Sequence, residues 1–310
     1  MRKNLYVYTK MKTLLYRKSK IKFVKQKQKY VGRVYKNISS GNEYIKDKIL
    51  SGEAFSCIRP GFDEINTVCL WDEHEWLKTE RYKKMNVAKW VDDDKILAKW
   101  VDAYKQAMSN ADMIGVYLRQ TMGEYLWRSY SAEQTVYYDM ECVNGASIIG
   151  QKYPWTMALK GKKVLIVSMF VDTMQSQYKR IENIWKDKLI WPSMDVIWLK
   201  SIFYAPNTDN QGMGDVLGVL EKMKKQVAQT DFDVALLCCS FFGTLLAGEI
   251  KKMGKQAIQM GGDMQLLFGI KGRRWEGTKN VTDCYNEYWV RPSEKERPVN
   301  YQDIESGCYW

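Results

Sequence analysis

The segment DVALLCCSFFGTLLAGEIKKMGKQAIQMGG, residues 233–262, decides the fold class of this chain. Its apolar runs are separated by a serine- and glycine-containing turn and by a polar stretch. The pattern predicts a strand over 233–239, a turn over 240–243, a helix over 244–253 and a strand over 256–260. A strand, a helix and a strand in this order are typical of a buried parallel sheet.

The first apolar run of this segment is too short to cross a membrane. Val234 to Ala247 is only 14 residues, interrupted by Ser240 and Gly243 and followed by Glu249. A membrane-spanning helix needs about 20 apolar residues. We therefore assign the run to the core of a globular domain.

The alternation of strand and helix continues outside this segment. Further strands are predicted over 54–58, 111–118, 163–169 and 195–200. Further helices are predicted near 42–51, within 80–110, from about 118 to 145, over 172–187 and over 216–228. The tail from about 272 is expected to be rich in loops. We predict one α/β domain over residues 41–310, with a Rossmann-like, mostly parallel sheet flanked by helices.

The N-terminus differs in charge from the rest of the chain. Residues 1–36 contain 13 Lys and Arg and no acid, so the remainder, with 35 basic and 36 acidic residues, is nearly neutral. We predict a basic N-terminal arm over residues 1–40. Interleaved apolar residues favour binding of the arm to an anionic membrane surface, where each basic residue contributes on the order of 1 kcal/mol. A solvated tail is the next hypothesis, and nucleic-acid binding is the least favoured.

The cysteines and the single histidine limit the chemistry of the protein. The seven cysteines include no CxxC pair, and no apolar secretory segment is found at the N-terminus, which predicts free thiols in a reducing compartment. His74 alone argues against a multi-histidine zinc site and against most Ser-His-Asp mechanisms. We expect a cytoplasmic protein, peripheral at the inner face of the membrane through its arm.

Three predicted strands are followed by loops that combine glycine with polar groups. These loops are RPGFDE (59–64), CSFFG (239–243) and GGD (261–263). Ligands of parallel sheets bind outside the carboxyl ends of the strands, and glycine lets backbone N–H groups approach a phosphate. Arg59 could pair with a phosphate, and Asp63 and Glu64 could act as a general base or hold a divalent metal. An ordinary surface turn is the alternative for each loop.

Several longer segments carry a resemblance to a known family. They are GEAFSCIRPGFDEI (52–65), LKGKKVLIVSMFVDTMQSQY (159–178), FDVALLCCSFFGTLLAGEIKKMGKQAIQMGGDMQLLFGIKGRRW (232–275), NEYWVRPSEKERP (286–298) and IESGCYW (304–310). Together they resemble the GT-D-type glycosyltransferases, in particular members of bacterial surface-polysaccharide clusters. The resemblance runs from about residue 45 to the C-terminus. It implies transfer of a sugar from a nucleotide-sugar donor to a glycan or lipid-linked acceptor, with an acidic DxE-type motif near a divalent metal, Mn²⁺ or Mg²⁺.

The first motif of the family can be compared with this chain position by position. Arg59, Gly61 and Glu64 match the pattern Arg-x-Gly-x-x-Glu, whereas the aspartate position of the DxE pair is Phe62. The resemblance implies that Glu64, or the neighbouring Asp63, deprotonates the acceptor hydroxyl or holds the metal. It implies that Arg59 neutralises the leaving diphosphate.

The other motifs imply contacts with the donor nucleotide. The residues concerned are Gly61, Ser240, Gly243, Gly261, Gly262, Gln265, Lys271, Arg273 and Arg274. Many relatives carry glycine where this chain has Cys238 and Ser240, and histidine where it has Gln259. Trp310 is expected to pack against the body of the domain.

Two other functional classes stay open from the sequence alone. One is another α/β transferase of polysaccharide synthesis, such as a pyruvyl or methyl transferase. The other is a non-catalytic sugar- or nucleotide-binding protein of the same fold, which the residues at 62, 238 and 240 favour. The donor sugar, the acceptor, the stereochemical outcome and the oligomeric state are not predicted.

Overall fold

The computed structural model describes residues 35–71, 91, 93–116, 129–186, 188–202, 214–299 and 301–310. Within these residues, eight parallel strands form one sheet. The strands are β1 (Tyr35–Lys36), β2 (Phe55–Ile58), β3 (Met113–Val116), β4 (Val136–Asp139), β5 (Lys163–Ser168), β6 (Asp195–Lys200), β7 (Val234–Cys238) and β8 (Gln256–Gln259). The predicted α/β fold with a parallel, Rossmann-like sheet is confirmed.

Helices connect most of the strands. The α-helices are α1 (Ile38–Ser51), α2 (Phe62–Trp71), α3 (Asp94–Ser109), α4 (Gly145–Ile149), α5 (Val171–Tyr178), α6 (Ile181–Ile184), α7 (Val216–Ala228), α8 (Gly243–Lys252), α9 (Met264–Leu267) and α10 (Lys279–Thr282). The C-terminal segment after α10 adds short 3-10 turns at Glu294–Glu296, Tyr301–Asp303 and Glu305–Gly307.

The strand order is β1-β4-β3-β2-β8-β7-β5-β6. Strands β2, β3 and β4 progress outward from the centre, and β5 to β8 form the other half, so the two halves meet where β2 pairs with β8. Because every strand is parallel, all carboxyl ends lie along one edge of the sheet. The loops after β2, β8, β7 and β5 are therefore neighbours on that edge.

Each face of the sheet is covered by its own hydrophobic core. On one face, Trp100 and Tyr104 of α3 pack with apolar residues of α7 and α8. On the other face, α1 packs with Trp155, Phe170 and Phe268. Strands β5 and β7 have buried side chains on both faces, which explains why their sequences are runs of apolar residues without alternation.

The predicted elements agree with the structure in most places. Strand 195–200 and helix 216–228 have the predicted bounds, and the two strands and the helix of segment 233–262 differ by about one residue at each end. The predicted helix 172–187 is instead divided into α5 and α6. Helix α3, which begins at Asp94, lies within the predicted helical region 80–110. The side chain of Asp93 caps this helix by accepting hydrogen bonds from two backbone N–H groups.

The predicted helix from 118 to 145 is wrong over residues 136–139, which form β4. The sequence TVYYD is β-branched and aromatic, as strands prefer, and β4 is paired on both sides, with β3 and β1. Both partners are distant in sequence, so the local aromatic content did not reveal the pairing.

The N-terminal arm and His74 lie outside the described residues, as do 80–90 and 117–118. Residues 35–40, which the predicted boundary assigned to the arm, form the edge strand β1 and the start of α1, whose N-cap is Asn37. All seven cysteines are free thiols, as predicted. None of the helices in the described part of the chain is long and apolar enough to span a bilayer.

Candidate functional site

A cavity of about 290 Å³ lies at the carboxyl edge of the sheet. Its walls come from the loops that follow β2, β8, β7 and β5, four neighbouring strands, and from the C-terminal segment. Ligand sites of parallel α/β sheets are found at this edge. The volume is close to the lower end of the range for small-molecule sites, about 300–1,000 Å³.

Most of the residues predicted from the sequence line this cavity together. They are Arg59, Gly61, Asp63, Glu64, Ser240, Gly261, Gly262 and Arg274. The three predicted loops therefore converge on one site, although more than 170 residues separate the first from the second in the sequence.

Four predicted residues lie behind the cavity wall instead. Gln265 is fully buried and its Nε2 donates to the carbonyl oxygens of Lys271 and Tyr309, at 3.2 and 3.1 Å. The ammonium of Lys271 lies over the ring of Tyr285, and Arg273 donates to the carbonyl of Ser306. Gly243 begins α8 and packs against a side chain of β8. These residues support the wall rather than line it.

Arg59 is held at the end of β2 by the neighbouring strand. Its backbone N–H donates to Oε1 of Gln259, the last residue of β8, at 2.9 Å. Its guanidinium packs against Gly261, where a Cβ would lie 2.5 Å from Nη1. Gly261 also has a φ of 74°, in the left-handed region. Glycine at 261 is thus required both by the backbone and by the close approach of the arginine.

Glu64 lies in the first turn of α2, with its carboxylate folded back over Gly61. Burial raises the pKa of Glu64 to about 7. The negative charges of Asp63 and Glu305 raise this pKa further, and a backbone N–H and the charge of Arg59 oppose the rise. A carboxyl with a pKa near neutrality is suited to accept a proton from a substrate hydroxyl and to return it.

The second arginine of the site is held by the C-terminal segment. Nη1 of Arg274 lies 2.6 Å from Oε2 of Glu305 and 2.9 Å from the hydroxyl of Tyr309, which in turn donates to Oε1 of Glu305 at 3.0 Å. The guanidinium also lies 5.6 Å from the centre of the Tyr309 ring. This arrangement keeps a cation at the cavity wall with its charge partly compensated.

Sequence reasoning did not predict Glu305 and Tyr309 as cavity residues. Three consecutive residues, Glu305, Ser306 and Gly307, have φ values of 46°, 58° and 70°, and this left-handed turn brings both side chains to the cavity. Nothing in the residue types marks such a turn except the glycine. The expectation that Trp310 packs against the body is confirmed, because its ring meets that of Phe170 edge-on at 5.6 Å.

Cys238 and Ser240, which flank Cys239 at the end of β7, both line the cavity. Ser240 has a φ of 51°, a conformation in which glycine is favoured, and it is exposed to the site. Cys238 is buried, and burial raises the pKa of its thiol to about 12, so the thiol is neutral at physiological pH. Beside them, Phe241 and the 44% exposed Phe62 give the cavity aromatic walls.

The acidic pair Asp63 and Glu64 was predicted as a metal site. Among the described residues, no three His, Cys, Asp or Glu side chains gather where one ion could bind them. The guanidiniums of Arg59 and Arg274 line the same cavity as these two carboxylates. Two carboxylates together with substrate phosphates can hold Mg²⁺, so Asp63 and Glu64 stay a predicted metal pair, and no reaction step is derived through a metal.

Comparison of the chain with protein-family models, with curated proteins and with solved structures gave no match. The function is therefore argued from the geometry of the cavity and from the sequence motifs that line it.

Proposed function

We propose that this protein is a glycosyltransferase that moves a sugar from a nucleotide-sugar donor to a glycan or lipid-linked acceptor in surface-polysaccharide synthesis. One observation carries the proposal. A carboxyl with a pKa of about 7, Glu64, lines the same cavity as the guanidiniums of Arg59 and Arg274, at the carboxyl ends of four parallel strands. A base beside two cations is an arrangement suited to sugar transfer from a nucleoside diphosphate.

The proposed reaction assigns one role to each group. The acceptor hydroxyl attacks the anomeric carbon of the donor sugar, and Glu64 takes the proton of that hydroxyl. The bond from the anomeric carbon to the diphosphate oxygen breaks, and the electron pair leaves with the nucleoside diphosphate. Arg59 and Arg274 pair with the charge that develops on the diphosphate, where charge-assisted hydrogen bonds are strongest.

Two further features of the cavity support a nucleotide sugar as ligand. Phe62, which is 44% exposed, offers an aromatic face on which a sugar ring or a nucleobase can pack, and Tyr309 holds the Arg274 guanidinium beside its ring. The cavity volume of about 290 Å³ encloses part of such a ligand, and we place the diphosphate and the sugar, which share the reacting bond, inside it.

A non-catalytic sugar- or nucleotide-binding protein is the second candidate. It is favoured by Ser240, whose backbone is left-handed and whose side chain lies at the cavity wall. A glycine at this position would let the backbone approach a phosphate more closely. The same ligand class would bind, but no sugar would be transferred.

The proposal is tested by a binding screen followed by a transfer assay. Nucleotide sugars and S-adenosylmethionine are compared by thermal shift, and release of nucleoside diphosphate is then measured with the best ligand. We expect a nucleotide sugar to bind and Glu64→Gln to lower transfer by about 10²–10⁴-fold while binding persists, since a general base contributes about this factor.

The matched control for this change is Glu53→Gln, at an exposed carboxylate paired with Lys48 away from the cavity. It should leave transfer unchanged. Full transfer by the Glu64→Gln protein would contradict the assigned base. Binding without any transfer would favour the non-catalytic candidate, and stabilisation by S-adenosylmethionine alone would favour a methyl transferase.

A further inference from the structure

Gln259 lines the cavity at the end of β8, although its side chain is almost completely buried, with 5% exposure. Its Oε1 accepts two hydrogen bonds, from the backbone N–H of Arg59 at 2.9 Å and from the hydroxyl of Thr244 at 2.8 Å. A backbone N–H can only donate, so the amide oxygen must face Arg59. The orientation of the Gln259 amide is therefore determined by its neighbours.

The other end of the amide, Nε2, has no hydrogen-bond partner among the described residues. It lies against the backbone of Gly243, where a Cβ would come within 2.7 Å of the nitrogen. An amide nitrogen carries two donors. Because Gln259 lines the cavity, a ligand oxygen there can accept a hydrogen bond from Nε2.

The surrounding structure holds this amide rigidly. Thr244 of α8 is 1% exposed, and its hydroxyl contacts Gln259 on one side. The hydroxyl of the fully buried Tyr104 of α3 lies 3.4 Å from Oγ1 of Thr244. Helices α3 and α8 pack together in the core on that face of the sheet. A donor held in this way is oriented before a ligand arrives and loses little freedom on binding.

The arginine whose backbone is bonded to this amide defines the ligand chemistry. Arg59 is bonded to Gln259 through its backbone, and its guanidinium packs against Gly261, two residues beyond Gln259. Both residues line the cavity where β2 and β8 end side by side. An anionic oxygen satisfies both groups better than a neutral hydroxyl does.

We propose that Gln259 is a ligand-contacting residue whose Nε2 donates a hydrogen bond to a phosphate oxygen of a bound diphosphate, beside the Arg59 guanidinium. The inference rests on the proposed function only in taking the ligand to be a nucleoside diphosphate sugar. The amide oxygen of Gln259 at the same time positions the Arg59 loop.

The test measures binding of inorganic pyrophosphate by calorimetry in the full-length protein and in three variants. Gln259→Met removes every polar atom, and we expect affinity to fall at least about tenfold. Gln259→Glu keeps an acceptor oxygen for Arg59, but when ionised it has no donor and adds a negative charge, so its affinity relative to the original protein should fall at pH 8 and recover towards pH 5.5, where the carboxyl regains a proton. Gln259→His keeps one donor and one acceptor, and its affinity should stay within a few-fold of the original protein.

The unfolding temperature of each variant shows which of them are folded, and Gln259→His provides a readout if Gln259→Met is not. A purely structural role predicts that a folded Gln259→Met protein binds pyrophosphate like the original protein, and that result would overturn the inference. So would the absence of pyrophosphate binding by the original protein. If the expected pattern appears but no nucleotide sugar is turned over, the transferase proposal fails and the diphosphate contact stands.

Discussion

Glu64 depends on its surroundings for the property that makes it a candidate base. The residue lies in the first turn of α2, where acids are common because the helix N-terminus favours negative charge. Burial against Gly61 outweighs this effect and raises its pKa from 4.5 to about 7. The same burial therefore has a cost for the folded protein whenever the carboxyl is ionised.

This cost predicts a pH-dependent effect of Glu64→Gln on stability. The folded-state pKa lies above the unfolded value of 4.5, so the folded protein binds the proton more tightly and loses stability as pH rises from about 4.5 through 7. The neutral amide avoids this loss. We expect Glu64→Gln to raise the free energy of unfolding at pH 8 by up to about 3 kcal/mol and to change it little at pH 4.5.

Denaturant unfolding at the two pH values measures this difference, and Glu53→Gln at the exposed surface controls for the loss of a carboxylate. A stabilisation of the same size at both pH values would show that burial of the charge is not its cause.

At the scale of elements, the C-terminal segment is attached to helix α5, which follows β5 of the sheet, through the carboxylate of Glu296. Glu296, which is 5% exposed, accepts hydrogen bonds from the backbone N–H groups of Asp172 and Thr173, at 2.8 and 3.3 Å, and from the Thr173 hydroxyl. These groups begin α5, whose N-terminus would otherwise bury unpaired donors. The attachment lies next to Phe170, one of the cavity residues.

Removal of this attachment is expected to destabilise the protein strongly. Glu296→Ala leaves buried donors without an acceptor and should lower the free energy of unfolding by about 2–4 kcal/mol. Glu294→Ala, two residues earlier in the same turn, removes only an exposed ion pair with Arg297 and should cost at most about 0.5 kcal/mol. Equal losses in the two variants, measured by denaturant unfolding, would contradict the role of Glu296.

At the scale of the whole molecule, the cavity requires both halves of the sheet. The loop after β2 belongs to the first half, and the loops after β5, β7 and β8 belong to the second. The pairing of β2 with β8 brings the Arg59 loop beside Gln259 and Gly261. The first described strand is β1, so deletion of residues 1–34 leaves every described strand of the sheet intact.

Deletion of residues 1–34 tests the membrane hypothesis for the arm. We expect the full chain to sediment with vesicles of anionic lipid at low salt and to be released at high salt, because the attraction is electrostatic. The shortened chain should not sediment at either salt concentration, and its unfolding temperature should be unchanged. Equal binding by both chains, insensitive to salt, would contradict the hypothesis.

The sequence by itself determined the class of the fold and much of the candidate site. Runs of apolar residues that alternate with segments of helical periodicity indicate a buried parallel sheet. In such a sheet, every loop that follows a strand lies at one edge. The loops containing Arg59, Ser240 and Gly261 could therefore be assigned to a common site from local patterns alone.

Only the tertiary structure decided the order of the strands and showed that residues 136–139 form the strand β4. It also showed that Glu305 and Tyr309 line the cavity. It also decided the raised pKa of Glu64 and the orientation of the Gln259 amide. Each of these depends on desolvation or on partners far away in the chain. A local pattern carries the period of a strand or helix, but it does not carry the identity of the residues that pack against it.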